Sequence, residues 1–241
     1  MHLPQNIHFN VALHALKTII EPSLYLSDTI KDLILNIDRH PFLPAIVHPI
    51  AYSDEPILLK KRCELPIALV ALILETIYRK RSNDYHIFVM NSGTGFSTML
   101  LSYLFEKVTT YEADNILYAR LLEKMNHRKN VSPVMSTPQD ENVFDVIFMD
   151  GGAHVEIPKA VKKTLKPGGI LLVAEPHSLN QIDETLFISN HNYTKPFRYP
   201  LCSLNFYVKN NDQKLILDHV VCQTHLPLIL NPTFTHERFV F

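Results

Sequence analysis

All six glycines of this 241-residue chain fall in three pairs, and each pair borders an apolar run. The pairs are Gly93 with Gly95, Gly151 with Gly152, and Gly168 with Gly169. Glycine is selected where the backbone turns sharply or where a ligand must approach it without a Cβ in the way. In parallel α/β sheets, such a turn between a strand and a helix lies where ligands bind. The first pair follows the apolar run from His86 to Met90 and therefore predicts a nucleotide-type pocket.

The composition argues against several classes of protein. The net charge is −1, and no basic run is longer than 79–81. The chain therefore has no positive electrostatic field that would attract phosphate backbones, and nucleic acid is not an expected partner. The three cysteines are odd in number and widely spaced, which fits a reducing compartment. Residues 1–6 lack a targeting pattern, and the longest apolar run, 67–74, is too short to span a bilayer. We expect a soluble cytoplasmic protein that does not bind membranes.

Residues 1–80 predict an N-terminal helical arm that packs on a core formed by residues 81–241, which we expect to be one continuous domain. Ser27 or Asp28 is suited to cap a helix whose apolar residues recur at helical spacing and which must end before Pro41. Prolines then punctuate an irregular arm over 41–56. Pro66 is typical of a helix N-terminus, and the segment that follows it is apolar on nearly every side.

From residue 85 onward, apolar strands alternate with helical patterns, which predicts a parallel sheet covered on both faces. The predicted strands are 87–90, 108–111, 131–135, 144–149 and 170–174, and the predicted helices are 97–105, 115–127 and 157–165. In the second helix, we expect Ile116, Ala119, Leu122 and Met125 to share one face. Two further strands, 204–209 and 215–221, predict an antiparallel hairpin at the sheet edge. The fold class is therefore α/β, a doubly wound, Rossmann-like and mostly parallel sheet with an antiparallel C-terminal hairpin.

The glycine loop does not match the common nucleotide motifs. A dinucleotide fingerprint requires a third glycine where Thr98 stands, and the Gly-Lys-Ser/Thr of a P-loop is absent. Glu112, 17 residues after Gly95, ends the second predicted strand, where a carboxylate can accept hydrogen bonds from the two ribose hydroxyls. This layout is that of S-adenosylmethionine (SAM) dependent methyltransferases. The expected cofactor-binding residues are Asn91, Ser92, Gly93, Gly95, Glu112 and Ala113; alternatively, the glycines only form the turn and Glu112 is a surface carboxylate.

Several motifs in this order resemble the protein-L-isoaspartate O-methyltransferase family over nearly the whole chain. Residues 51–57 resemble its A-Y-x-D-x-x-x-P-I arm, and 41–44 are similar to its V-P-R-x-x-F-V-P segment in shortened form. Residues 144–148 with 156–158 resemble F-D-x-I-x-V and x-E-I-P, and 165–169 resemble L-K-x-G-G. The last five residues, 237–241, are similar to the C-terminus of a short proteobacterial branch. The resemblance implies a SAM-dependent repair enzyme whose substrate is a protein or peptide with an isoaspartyl residue.

The chain departs from the family pattern on the substrate side. Residues 61–66 align with the family's Q-T-I-S-x-P loop, and only the proline is kept. Lys61 and Arg62 are expected on a solvated loop, with attraction of an anionic peptide as the alternative. The substrate-side candidates are Glu64, Asp150 and His154. Asp150 lines the substrate mouth or holds the turn, and His154 is a candidate general base for a hydroxyl substrate or a metal ligand with Asp150. Because no other residue lies at metal-ligand spacing, no metal is expected.

Methyl transfer to a carboxylate needs no general base, because a carboxyl group with a pKa of about 4 is ionised at pH 7. Positioning and desolvation then carry the catalysis, and the sequence names no catalytic residue. Our leading hypothesis is a SAM-dependent carboxyl methyltransferase of the isoaspartyl repair type. A small-molecule or other protein methyltransferase is the second hypothesis. A SAM-binding pseudo-enzyme with a scaffold role is the third, because Val89 and Asn91 replace an acid and a glycine of the family.

Overall fold

A mixed β-sheet forms the centre of the computed structural model, which describes residues 5–59, 62–80, 82, 84–177, 200–226 and 228–229. Within these residues the sheet has eight strands. They are β3 (His86–Met90), β4 (Lys107–Tyr111), β5 (Val131–Val134), β6 (Phe144–His154), β7 (Leu165–Pro176), β8 (Leu201–Lys209), β9 (Leu215–His225) and β10 (Leu228–Ile229). A separate antiparallel hairpin joins β1 (Ile57–Leu59) to β2 (Arg62–Glu64).

The strand order is β5-β4-β3-β6-β7-β8-β9, and β10 pairs with the end of β6. Strands β3 to β7 run parallel, whereas β8 and β9 are antiparallel to their neighbours. This arrangement confirms the predicted fold class, including the C-terminal hairpin. The strand β10 was not predicted, because a two-residue strand leaves no period to detect.

Helices account for most of the remaining described residues. They are α1 (Gln5–Ala15), which continues as a π-helical turn (Leu16–Ile20), α2 (Asp28–Asn36), α3 (Ile67–Lys80), α4 (Phe96–Leu101), α5 (Asn115–Met125) and α6 (Lys159–Thr164), with 3₁₀ turns at His40–Phe42 and Ala45–Ile50. Among the helices described, none combines the length and apolar character needed to cross a membrane. The division of the chain at residue 80 stays a prediction.

Strand β3 shows why the sheet is buried on both sides. All five of its residues are buried, and successive side chains belong to two different apolar clusters. Ile87 and Val89 lie in the cluster that includes α3 and α4, whereas Phe88 and Met90 lie in the cluster that includes Val161 of α6. Side chains alternate across a strand, so an apolar run without polar interruptions is expected where both faces are covered.

Within the N-terminal arm, the start of α2 is attached to α3. Ser27 precedes α2 as predicted, but its hydroxyl donates to Glu75 Oε2 of α3 at 2.9 Å rather than capping its own helix. The Ser27 backbone N–H donates to the same oxygen at 2.9 Å, and Arg79 Nε donates to Glu75 Oε1 at 2.6 Å. A single carboxylate on α3 therefore holds the start of α2.

The sequence did not anticipate one hairpin, and it gave the wrong face for one helix. The hairpin β1–β2 was not anticipated, because three-residue strands are too short to show alternation. The predicted face of α5 was also wrong, since Ile116 and Leu122 are 51% and 43% exposed. The buried residues are Leu117, Leu121 and Met125, four apart. The predicted residues are three apart, and three residues turn the helix about 60° less than a full turn. Over several such steps the side chains therefore no longer lie on one face of a helix with 3.6 residues per turn.

Candidate functional site

Three predicted site residues lie at one level of the sheet. Asn91, Glu112 and Asp150 each come directly after the last paired residue between β3 and its two neighbours. Those last paired residues are Met90, Tyr111 and Met149. They come from β3, β4 and β6, and each is no more than 5% exposed. Because parallel strands present their carboxyl ends at the same edge, the fold brings these polar groups together at the position where α/β proteins bind ligands.

The loop between β3 and α4 has left-handed backbone at three positions. Asn91 and Gly93 both have φ of 59°, and Gly95 has φ of 95°. Asparagine is among the few residues other than glycine that adopt this conformation readily, so Asn91 preserves the backbone of the loop. A Cβ on Gly95 would lie 2.6 Å from Leu121 Cδ1 of α5. Helix packing therefore explains Gly95, and its contact with a cofactor stays a prediction.

Glu112 accepts four hydrogen bonds and is fully buried. Its Oε2 receives the Gly93 N–H at 2.9 Å and Arg62 Nε at 3.2 Å. Its Oε1 receives the Asp114 N–H at 2.9 Å and Arg62 Nη2 at 3.1 Å. An ionised carboxylate offers about four acceptor positions. All of them are used, two by the backbone and two by one guanidinium.

The segment that replaces the Q-T-I-S-x-P loop lies directly over the loop after β3. Arg62 is 2% exposed, and its Nη2 also donates to Asn91 Oδ1 at 3.1 Å. Glu64 accepts from Thr94 Oγ1 at 2.9 Å. The expectation of a solvated loop is therefore wrong for Arg62, while Lys61 lies outside the described residues. The i, i+2 spacing of Arg62 and Glu64 was the available signal, since it places both side chains on one face of a strand.

Asp150 and Glu64 form an acidic pair on the other side of this loop. The pKa of Asp150 is raised to about 7, mainly by burial and also by the charge of Glu64, against the opposing effects of hydrogen bonds from Gly151 and Ser97. The Gly151 N–H donates to Asp150 Oδ1 at 2.7 Å. Burial also raises the pKa of Glu64, against the effects of Arg39 and Thr94. Near pH 7 a substantial fraction of the Asp150 carboxyl groups therefore holds a proton.

Arg39 is a site residue that the sequence interpretation missed. It is fully buried, its Nη2 donates to the Leu65 carbonyl at 2.6 Å, and Nη2 lies 4.0 Å from Glu64 Oε2. Its Nε and Nη1 have no hydrogen-bond partner among the described residues. The guanidinium stands 5.1 Å from the centre of the Phe96 ring. Arg39 precedes 41–44 at the offset of the arginine in V-P-R-x-x-F-V-P, which was the available signal.

His154 is fully buried at the end of β6. Burial lowers its pKa to about 4, so the ring is neutral. Its Nε2 lies 3.0 Å from the carbonyl oxygen of Asp150, an acceptor, so Nε2 carries the proton. Its Nδ1 has no partner in the described part of the chain. The ring therefore contacts the main chain of Asp150 and not its carboxylate, an arrangement that does not support the alternative of metal ligation together with Asp150.

The remaining predicted residues border the same region. Ser92 is buried and its backbone N–H donates to the Tyr111 carbonyl at 3.1 Å, which ties the loop to β4. Ala113 is half-buried beside Glu112. The C-terminal motif at 237–241 lies outside the described residues.

Comparison with protein families gives a match over most of the chain. The family described as protein-L-isoaspartate(D-aspartate) O-methyltransferase (PCMT) matches residues 12–186. A protein-L-isoaspartate O-methyltransferase of Trichlorobacter lovleyi is 26% identical over 157 residues, 62% of this chain and 71% of the relative. The enzyme of the same name from Dictyoglomus turgidum is 27% identical over 155 residues, 61% of this chain and 69% of the relative.

Solved structures of the same name share the fold. A Plasmodium falciparum protein described as a protein-L-isoaspartate O-methyltransferase, in complex with S-adenosyl-L-homocysteine, superposes with a TM-score of 0.63 at 17% identity. The match covers 93% of this chain and 98% of that one. A second protein-L-isoaspartate O-methyltransferase gives a TM-score of 0.64 at 17% identity, over 95% of this chain and 66% of that chain. At these identities the likeness shows the shared fold.

Proposed function

The chain belongs to the protein-L-isoaspartate O-methyltransferase family of SAM-dependent methyltransferases, and we propose that it methylates a carboxylate of isoaspartyl residues in proteins or peptides. One observation carries this proposal: the buried carboxylate of Glu112 and the buried acids Asp150 and Glu64 flank the same loop after β3. The side of the loop with Glu112 is then available to a cofactor, and the side with Asp150 and Glu64 is available to an anionic acceptor.

Glu112 and the loop that begins at Asn91 are the proposed cofactor side. A buried carboxylate at the end of β4 fits the ribose diol of SAM, because both hydroxyls can donate to it. When bound, SAM supplies an electrophilic methyl group on a sulfonium. All four acceptor positions of Glu112 are in use, so diol binding requires Arg62 to give up its two hydrogen bonds. Gly93 and Asp114 keep the carboxylate in place through their backbone N–H groups.

Arg39 and Asp150 are the proposed acceptor side. Two guanidinium nitrogens of Arg39, Nε and Nη1, have no hydrogen-bond partner among the described residues, and a guanidinium recognises a carboxylate through paired donors. A protonated Asp150 is a hydrogen-bond donor to a second carboxylate oxygen near neutral pH. The acceptor is already ionised, so these residues orient and desolvate it and do not remove a proton. Their roles, like those of the predicted cofactor-binding residues, are proposals.

A small-molecule carboxylate is the second candidate acceptor. The replacement of the T-I-S hydroxyls by Arg62, Cys63 and Glu64 favours it, because these three residues are buried and leave no free hydroxyl there. The reducing compartment inferred from the cysteines makes the cytoplasm the proposed location for either activity.

Labelled SAM tests the proposal with an isoaspartyl peptide and its aspartyl counterpart. We expect transfer to the isoaspartyl peptide alone, and S-adenosylhomocysteine binding by calorimetry. Glu123→Gln, which changes a glutamate whose side chain is 68% exposed, is the matched control for variants of buried Glu112. S-adenosylhomocysteine binding without transfer to either peptide would support the small-molecule or scaffold alternatives. Absence of binding at millimolar ligand would overturn the assignment of the cofactor side.

A further inference from the structure

A cluster of histidine and carboxylate side chains lies in the N-terminal arm, apart from the methyltransferase site. His8 of α1 meets Asp38 and His40, which follow α2. The distance from Asp38 Oδ1 is 3.1 Å to His8 Nδ1 and 2.7 Å to His40 Nδ1. All three atoms lie within 4.8 Å of one another. The sequence gives no sign of this cluster, since 30 residues separate its first two members.

His8 Nδ1 lies within hydrogen-bond distance of both Tyr52 and Asp38, and the tautomer with an unprotonated Nδ1 can bond only to Tyr52. The Arg39 backbone N–H donates to the Tyr52 hydroxyl at 3.0 Å, so the hydroxyl proton is directed elsewhere, and His8 Nδ1 lies 2.9 Å away. If Tyr52 donates there, the Nδ1 lone pair also faces the Asp38 carboxylate, and two acceptors stand 3.1 Å apart. His8 Nε2, the other ring nitrogen, has no partner in the described chain and is buried.

In the tautomer with an unprotonated Nδ1, a cation between these atoms removes the conflict, because each lone pair would then point at positive charge. Ligands of a tetrahedral zinc ion, with Zn–N bonds of 2.0–2.1 Å, lie about 3.3 Å apart, close to the two distances from Asp38. Two imidazoles and a carboxylate are the ligand types that borderline divalent metals prefer. The Asp38 side chain is 28% exposed, which leaves a route for the ion from solvent.

We propose that His8, Asp38 and His40 form a binding site for Zn²⁺ or a similar divalent transition metal. The ion connects α1 to the segment after α2, two parts of the arm that otherwise meet here through the contact of His8 Nδ1 with Asp38 Oδ1. Tyr52 stays a protonated second-sphere group, because burial raises its pKa. Asp38 and His40 also flank Arg39 in the chain, so the ion fixes the backbone that carries that guanidinium.

Calorimetric titration of the metal-stripped, full-length protein with ZnCl₂ tests this site. We expect one ion per chain with a dissociation constant in the micromolar range or tighter, reversal by EDTA and a higher melting temperature with zinc. Asp38→Asn and His40→Gln should each weaken binding at least tenfold. His14→Gln, which changes an exposed histidine on the same helix, is the matched control and should bind like wild type.

Nuclear magnetic resonance of the wild-type protein gives a readout that does not depend on the folding of a variant. Zinc should shift the ring resonances of His8 and His40 before those of His14. Absence of zinc binding, or binding that persists at wild-type affinity in Asp38→Asn, overturns the proposal. Zinc-induced shifts confined to other histidines overturn it equally.

Discussion

Glu112 and Asp150 occupy matching positions on either side of β3, yet their surroundings differ. Both are buried carboxyl groups that directly follow the last residue of their strand to pair with β3. Glu112 receives two backbone N–H groups and a guanidinium, whereas Asp150 receives the Gly151 N–H and a Ser97 hydrogen bond and faces the charge of Glu64. The two carboxyl groups are buried to a similar depth, and they differ in the number of donors they receive and in the charge beside them. We infer that this contrast separates cofactor binding from acceptor binding.

Glu112→Gln should have the largest effect, because it breaks the ion pair while keeping the side chain's shape. We expect loss of measurable methyl transfer and a free energy of unfolding lower by about 3 to 5 kcal/mol, since Arg62 is left buried without a counter-charge. Chemical denaturation and calorimetry with S-adenosylhomocysteine measure the two effects. The exposed control Glu123→Gln should change stability by less than about 0.5 kcal/mol. Equal behaviour of the two variants would refute the assigned role of Glu112.

Asp150→Asn should change how stability depends on pH. Because the folded pKa of about 7 exceeds the unfolded value of 3.8, the folded chain keeps a proton that the unfolded chain releases. The stabilisation is full below pH 4 and is lost as the pH rises through 7. At 1.36 kcal/mol per pKa unit it amounts to roughly 4 kcal/mol.

Comparing unfolding free energies of wild type and Asp150→Asn from pH 4 to pH 8 isolates this effect. The variant should gain relative stability toward pH 8. His154 contributes with the opposite sign in both proteins, since its lowered pKa removes stability as the pH falls from 6.5 to about 4. Asp140→Asn, an exposed control, should parallel wild type. A constant difference between wild type and Asp150→Asn across this range would contradict a raised pKa.

Arg39→Lys should separate the acceptor side from the cofactor side. Lysine keeps the charge but lacks the paired donors that a carboxylate binds. We expect kcat/KM for an isoaspartyl peptide to fall about 100-fold, which equals roughly 2.7 kcal/mol, while S-adenosylhomocysteine affinity stays within about threefold. Arg120→Lys, on the exposed face of α5, serves as the control. A loss of S-adenosylhomocysteine affinity equal to the loss of kcat/KM would mean that Arg39 acts in cofactor binding and not in acceptor binding.

The sequence predicts the sheet much better than the site. Strands β3, β6 and β7 contain local apolar runs that the sequence shows directly, and Glu112 follows from its place directly after β4. The contacts of Arg62 do not, because 50 residues separate it from Glu112 and its hairpin has strands of only three residues. Arg39 and the histidine cluster likewise depend on how the arm folds back over the sheet. Polar contacts between distant segments carry no local period, so the pattern of the chain does not reveal them.

Arg62→Lys should have the smallest effect and tests whether the two sides are linked through β2. Lysine still neutralises Glu112 but replaces two fork-like donors by one ammonium, which frees an acceptor position on the carboxylate. We expect S-adenosylhomocysteine to bind about three- to tenfold more tightly, with at most a modest loss of stability. Arg79→Lys, whose guanidinium side chain is 56% exposed and pairs with Glu75, is the matched control. Weaker binding in Arg62→Lys would mean that the guanidinium assists the cofactor side, and Arg62 would then be a binding residue that Glu112 holds in position.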